Sequence, residues 1–408
     1  MIDIEDVLAA EPRVAETARE TPLDYSYTYS DMTGAAVYLK LENHQRTGSF
    51  KIRGATNRIA TLPETERAAG VVTASAGNHA QGVALAASRA GVDSTVVMPE
   101  YAPVSKVTAT RSYGAEVVLH GVDYDAAQAR AREIEAERGL TYVHAFDDDA
   151  VIAGQGTLGL EIHDQSPDLD TIVVPIGGGG LIAGVATAIT ARNPDARVIG
   201  VQAEGASSAA PSLQKGEIHE LESVDTIADG IATRRIGDRP FEIIRERVDE
   251  VVTVSDPEIA MAVTLLLERS KTLVEGAGAV ALAALLADTF EYDPDERVVL
   301  ALCGGNIDLN VLRTIIVRGL VRSGRYLRVA TVLNDQPGAL ADFLNLVAAA
   351  DANVASIQHD RTTDEVGMNT AEVHLDIETH GPDHVDELLD ALRERFPVEV
   401  LAGPTTVF

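Results

Sequence analysis

Thr171-Ile172-Val173-Val174-Pro175-Ile176-Gly177-Gly178-Gly179-Gly180 is a β-branched run that passes without a break into four glycines. The apolar pattern of Ala183 to Ala191 predicts a helix just beyond. The glycines therefore stand between a strand and an apolar helix, where a flexible linker has no reason to be. Without Cβ atoms, the backbone N–H groups can close around an anion, and the helix N-terminus adds favourable partial charge. The stretch reads as a phosphate cradle. It is not a Walker loop, since no Gly-Lys-Ser/Thr follows, nor a G-x-G-x-x-G arrangement with its downstream acid.

The same strand–helix alternation continues on both sides. Upstream, Ala36 to Leu41, Val71 to Thr73, Ser94 to Met98, Glu116 to Leu119 and Thr141 to Val143 read as strands. Between and after them, Ile52 to Thr61, Pro103 to Ser112, Tyr124 to Arg138 and Gln155 to His163 read as helices. Downstream, Arg197 to Gln202 and Arg297 to Leu302 are further strands. Ser255-Asp256-Pro257-Glu258 has the form of a capping box that opens a helix. Residues 204–250 carry no clear pattern. The alternation predicts an α/β chain with open parallel sheets covered by helices. Arg322-Ser323-Gly324 marks a boundary, after which the order turns to βαββαβ, a ferredoxin-like module. The expected domains are 1–323, with a smaller subdomain at about 50–150, and 324–408.

The 408 residues carry 63 acids against 33 bases, a formal net charge of −30, and the acids are spread along the chain. Such a charge opposes nucleic-acid binding, which needs cations to neutralise phosphates. It also implies self-repulsion unless salt screens it. Only five of the bases are lysines, which suits a salt-adapted, halophilic protein as well as a merely acidic one. No run approaches the roughly 18 apolar residues of a membrane span, and the acidic start Met1-Ile2-Asp3-Ile4-Glu5-Asp6 lacks the form of a signal peptide. A single cysteine, Cys303, allows no internal disulfide and no Cys-rich zinc site. A cytoplasmic protein is expected.

One of the five lysines lies in Gly48-Ser49-Phe50-Lys51-Ile52-Arg53-Gly54, between an aromatic and a branched aliphatic residue. An ammonium desolvated by such neighbours has a lowered pKa and becomes a nucleophile able to form an imine. The same residues also fit a surface lysine at a helix start. Ser75-Ala76-Gly77-Asn78-His79 occupies another strand-to-helix turn, where small residues with exposed N–H groups can take a carboxylate or simply cap the helix. Taken together, a phosphate cradle, a shielded lysine and an anion-binding turn point to pyridoxal phosphate held through Lys51.

These motifs resemble the fold-type II threonine ammonia-lyases (serine/threonine dehydratases), in the form with one C-terminal ACT domain. The likeness runs from about Thr21 to the end of the chain. It rests on Leu41-Glu42-Asn43, Thr47 to Ala55, Ser75 to His79, Val151-Ile152-Ala153-Gly154-Gln155-Gly156-Thr157, Gly177 to Leu181, Ile227 to Ala232 and Cys303-Gly304-Gly305-Asn306. It implies a catalytic unit of the tryptophan synthase β type that deaminates L-threonine to 2-oxobutanoate and ammonia, with L-serine a further substrate.

The resemblance also implies roles. Lys51 would carry the cofactor and move the α-proton. Phe50, Asn78, Gly177, Gly178, Gly179, Gly180, Leu181 and Cys303 would surround the cofactor, with Asn78 at the ring hydroxyl and Cys303 at the pyridine nitrogen. A neutral thiol there favours β-elimination; the residue also fits an inert core cysteine. Ser75, Ala76, Gly77, Asn78 and His79 would bind the substrate carboxylate. Similar serine racemases place a proton-transferring serine where Ala76 stands, so racemisation is expected to be weak. A serine racemase, a β-replacement enzyme and a non-catalytic amino-acid sensor are the rival readings. Glu204 resembles the first ligand of a divalent-cation site, but no second carboxylate follows it, so no metal is expected. Asp335-Gln336-Pro337-Gly338-Ala339-Leu340 resembles the turn at which ACT domains bind amino acids across subunit interfaces, or serves a module that only dimerises. The resemblance implies a homo-oligomer, tetramer or dimer.

Overall fold

The computed structural model describes residues 1–361, 367 and 369–404. The chain forms two compact units, Met1–Leu312 and Arg313–Phe408. The first contains, in chain order, β1 (Leu23–Tyr25), β2 (Ala36–Lys40), β3 (Val71–Ala74), β4 (Ser94–Met98), β5 (Glu116–Leu119), β6 (Thr141–Tyr142), β7 (Thr171–Pro175), β8 (Arg197–Ala203), β9 (Glu250–Val254) and β10 (Arg297–Ala301). They build two sheets, of order β1-β2-β10-β7-β8-β9 and β5-β4-β3-β6. All pairings are parallel except that of β1 with β2. A parallel sheet has both faces covered, which is why every residue of β7 and β4 is buried, Thr171, Ser94 and Thr95 included. The helix Gly276–Leu286 lies against β7, β8, β9 and β10.

The predicted elements are present, with shifted ends. The largest shift is the helix expected from Gln155, which spans Asp149–Gln165. Gly154 and Gly156 argue locally against helix, yet here they serve contact between helices. A Cβ on Gly154 would lie 2.8 Å from the Arg53 carbonyl, and one on Gly156 2.9 Å from that of Gly184. The helix begins early because the Asp148 side chain accepts the Val151 N–H, capping its first turn. The unreadable stretch 204–250 holds the helices Ala209–Lys215 and Asp238–Arg247 and leads into β9. The expected capping box is formed: Glu258 accepts the Ser255 N–H at 2.7 Å. A second one, Asp3 with Asp6, opens an N-terminal helix, Ile4–Ala15, that the sequence reading passed over.

In the second unit, β11 (Tyr326–Asn334), β12 (Asn353–Asp360), β13 (Thr370–Glu378) and β14 (Val398–Ala402) form an antiparallel sheet of order β12-β13-β11-β14. The helices Ala339–Ala349 and Pro382–Arg393 bury Phe343, Val347, Leu388 and Leu392 with Leu327, Val329 and Leu375 from the strands. Alternate burial along β13 is the mark of a sheet covered on one face. This is the expected ferredoxin-like module. The division at Leu312/Arg313 falls inside the helix Leu309–Arg322, whose end is followed by Gly324.

Candidate active site

Ligands of open α/β sheets sit beyond the carboxyl ends of the strands. In the first unit, the ends of β7 and β10 and the turn after β3 supply Gly177 to Gly180, Cys303 and Asn78 to a single cleft. Phe50, Lys51 and Leu181 also line it.

Lys51 is the first residue of the helix Lys51–Ala60, whose start has no side-chain cap. Its Nζ donates to the Ala145 carbonyl at 2.9 Å and lies 5.1 Å from the centre of the Phe50 ring. Burial pulls its pKa down from 10.5 to about 8, against the opposing pull of the Glu275 carboxylate. The positive end of a helix disfavours an ammonium further. The loop that carries Ala145 is held by His144, whose Nδ1 accepts the backbone N–H groups of Phe146 and Asp147.

The four glycines join β7 to the helix Gly180–Arg192. Gly179 turns the chain at φ +88°, and no side chain caps the helix there. Its first N–H groups thus have no capping acceptor. A Cβ on Gly178 would stand 2.3 Å from the Phe146 ring. Only glycine fits between that ring and the turn.

Asn78 opens the helix Asn78–Ala90. Its Nδ2 donates to Glu275 Oε1 at 2.6 Å, and its Oδ1 accepts from Asn306 Nδ2 at 2.8 Å. One amide N–H is left for a ligand oxygen. Burial raises the Glu275 carboxyl to about 7, against the Asn78 hydrogen bond. Cys303 is buried, its Sγ donates to the Ala301 carbonyl at 3.3 Å, and burial pushes the thiol well above its usual range. It is a neutral group.

A family model described as pyridoxal-phosphate dependent enzyme matches residues 14–304, and an ACT domain model matches residues 326–396. The L-threonine ammonia-lyase of Thermotoga maritima is 49% identical over 95% of this chain and 96% of its own. The chain belongs to the pyridoxal-phosphate-dependent threonine ammonia-lyase family. The processed threonine deaminase isoform 2 of Solanum lycopersicum superposes with a TM-score of 0.74 at 41% identity, over 77% of this chain and 91% of that one. Maize serine racemase gives 0.74 at 38%, over 76% and 96%.

The residues fit the family's cofactor. The turn Gly177 to Gly180 packs so closely on Ile231, Phe146, Ile244 and Pro240 that it admits no Cβ, which leaves bare backbone to line the cleft beside the lysine of lowered pKa. Bound there, pyridoxal phosphate supplies an electron sink for the α-carbon of an amino acid.

Not every expected residue lines the cleft wall. Ser75, Ala76 and Gly77 form the half-buried turn just before Asn78, where the Gly77 N–H donates to Ser75 Oγ at 3.2 Å. The His79 ring is buried with Nε2 3.0 Å from the Val143 carbonyl. Burial drives its pKa down to about 3, so the ring stays neutral. Glu204 is exposed at the start of a short 3₁₀ turn, Glu204–Ala206. Among the described residues, no group of three or more His, Cys, Asp and Glu is placed to hold a metal ion. In the ACT unit, Asp335 to Gly338 are exposed, Asp335 pairs with Arg361 at 2.9 Å, and Ala339 and Leu340 begin the helix.

The cleft also contains residues that sequence reasoning did not assign: Phe146, Pro175, Gly230, Ile231, Glu275 and Ala277. Gly230 and Ile231 lie in a motif quoted for the family resemblance. For Glu275 the available signal was an acid directly before Gly-Ala-Gly at the head of an apolar helix.

Proposed function

We propose that this enzyme converts L-threonine to 2-oxobutanoate and ammonia, and L-serine to pyruvate, with Lys51 as its catalytic base. The observation that carries the reading is the convergence of Lys51, the Gly177–Gly180 cradle and a neutral Cys303 on one cleft. With the amino acid in place, Lys51 Nζ takes the α-proton and the hydroxyl leaves from Cβ as water. The released enamine takes up water and loses ammonia, so the net change is loss of NH₃. The ring would lie against Asn78, Leu181 and Phe50, and its nitrogen against the Cys303 thiol. The turn Ser75 to His79 offers backbone N–H groups for the substrate carboxylate, from the carboxyl end of β3. Ala76 supports elimination over racemisation, because its methyl packs against the apolar cluster that includes Ala80 and Val96 and carries no proton to give.

We further infer an amino-acid effector at Asp335 to Leu340, a homo-oligomer and a cytoplasmic setting, with catalytic residues 1–323 and regulatory residues 324–408. No helix among the described residues is long and apolar enough to cross a membrane. The test is product analysis on purified enzyme given L-threonine and, separately, L-serine. Equimolar 2-oxobutanoate and ammonia, with no D-serine in the second sample, are expected. D-serine as the main product would transfer the enzyme to the racemases.

A further inference from the structure

Two residues beyond Lys51, on the same helix, Arg53 is 1% exposed. Its guanidinium forks onto two carboxylates at once. Nε and Nη2 each donate to Glu42 at 2.8 Å, while Nη1 and Nη2 donate to Glu161 at 2.7 and 2.8 Å. Glu42 follows β2, and Glu161 belongs to the helix Asp149–Gln165. Lys40, also fully buried, completes a neutral cluster of four ions by donating to Glu161 at 2.9 Å.

Burying such a cluster contributes little net stability, because apolar side chains of similar volume do as well. What it adds is direction. Paired forks of fixed planar geometry set both the rotation and the translation of the helix that bears them. The other contacts of this helix leave little slack. A Cβ on Gly154 would sit 2.8 Å from the Arg53 carbonyl, and one on Gly82 3.0 Å from the Lys51 carbonyl carbon. Backbones on two sides and a double fork on a third define the turn that bears Lys51.

We propose that Arg53 is a positioning residue for the reaction: held by Glu42 and Glu161, it places the Lys51 amine for proton transfer. This rests on the threonine reading. Lack of turnover by wild type would sink that reading alone, while the spectroscopic comparison below would still judge where Lys51 stands.

The test uses full-length, cofactor-loaded enzyme in three variants: R53K, E161Q, and the apolar exchange K40M/E42L/R53M/E161L. It measures kcat and KM for L-threonine per bound cofactor, and the induced visible circular dichroism of that cofactor. A displacement of about 1 Å costs on the order of a hundredfold in rate. R53K, which keeps the charge but loses the fork, should therefore lose about a hundredfold in kcat with KM changed by less than about threefold. Its circular dichroism band should change. The apolar exchange should melt no lower than wild type and be as slow as R53K. A purely structural cluster predicts instead a folded apolar variant with wild-type kcat and band, and that result overturns the proposal. If neither variant folds, E161Q decides, since the Glu161 side chain is 20% exposed. A fall in kcat of about tenfold with an altered band supports the positioning role; an unchanged kcat and band refutes it.

Discussion

Burial takes Lys51 to a pKa of about 8, while Glu275, drawn up to about 7, partly holds the proton in place. The neutral amine is the nucleophile, and its population grows as pH rises through its pKa. Recombination of cofactor-free protein with pyridoxal phosphate should accelerate with pH to a midpoint near 8. Glu275→Gln removes the carboxylate that raises the lysine's pKa, so the midpoint should move lower. Stopped-flow absorbance would follow both, and a midpoint at the ordinary lysine value would contradict this account of the site. Lys51 was legible because a lysine between Phe50 and Ile52 stands out in a chain nearly empty of lysine. Glu275 was not, since it is one of 63 acids and its place before Gly-Ala-Gly at the head of an apolar helix does not say what it faces. Only the fold brings it within 2.6 Å of Asn78.

At the scale of elements, the strand–glycine–helix unit does the most to shape the site. Gly178→Ala would push a methyl into the Phe146 ring. Its affinity for pyridoxal phosphate should fall by at least about tenfold, with far-UV circular dichroism unchanged, because the cradle is distorted while the helix can still form. Equal affinity by titration would show that the turn does not bear on the phosphate. The glycines that flank a strand were readable from sequence, whereas Gly154, inside a helix expected to begin only at Gln155, was not. Inside a helix, a glycine that breaks the local pattern and a glycine that admits a neighbouring backbone look alike until the neighbour is known. Residues 204–250 were opaque for a related reason. Their helices Ala209–Lys215 and Asp238–Arg247 are short and contain Pro211 and Pro240, so periodicity has little length in which to show.

Across the whole molecule, the charge of −30 is a physical load on the folded state. Many of the described ion pairs join partly exposed arginines to exposed acids, such as Arg130 with Glu137 and Arg297 with Asp168. Pairs of this kind add little, and they leave about thirty charges to repel one another, an interaction that salt screens. Raising KCl from about 0.1 M to about 2 M should lift the melting temperature by at least about 5 °C. Scanning fluorimetry would measure it, and a flat response would remove the salt-adapted reading. The central claim is that one lysine on this α/β unit deaminates threonine. It is tested most directly by 2-oxobutanoate release from L-threonine in molar KCl, with wild type and Lys51→Ala side by side. The account predicts steady turnover by the wild type and a loss of at least about a thousandfold in the variant. Turnover that survives the substitution, or a cofactor-loaded wild type that makes no 2-oxobutanoate, would contradict it.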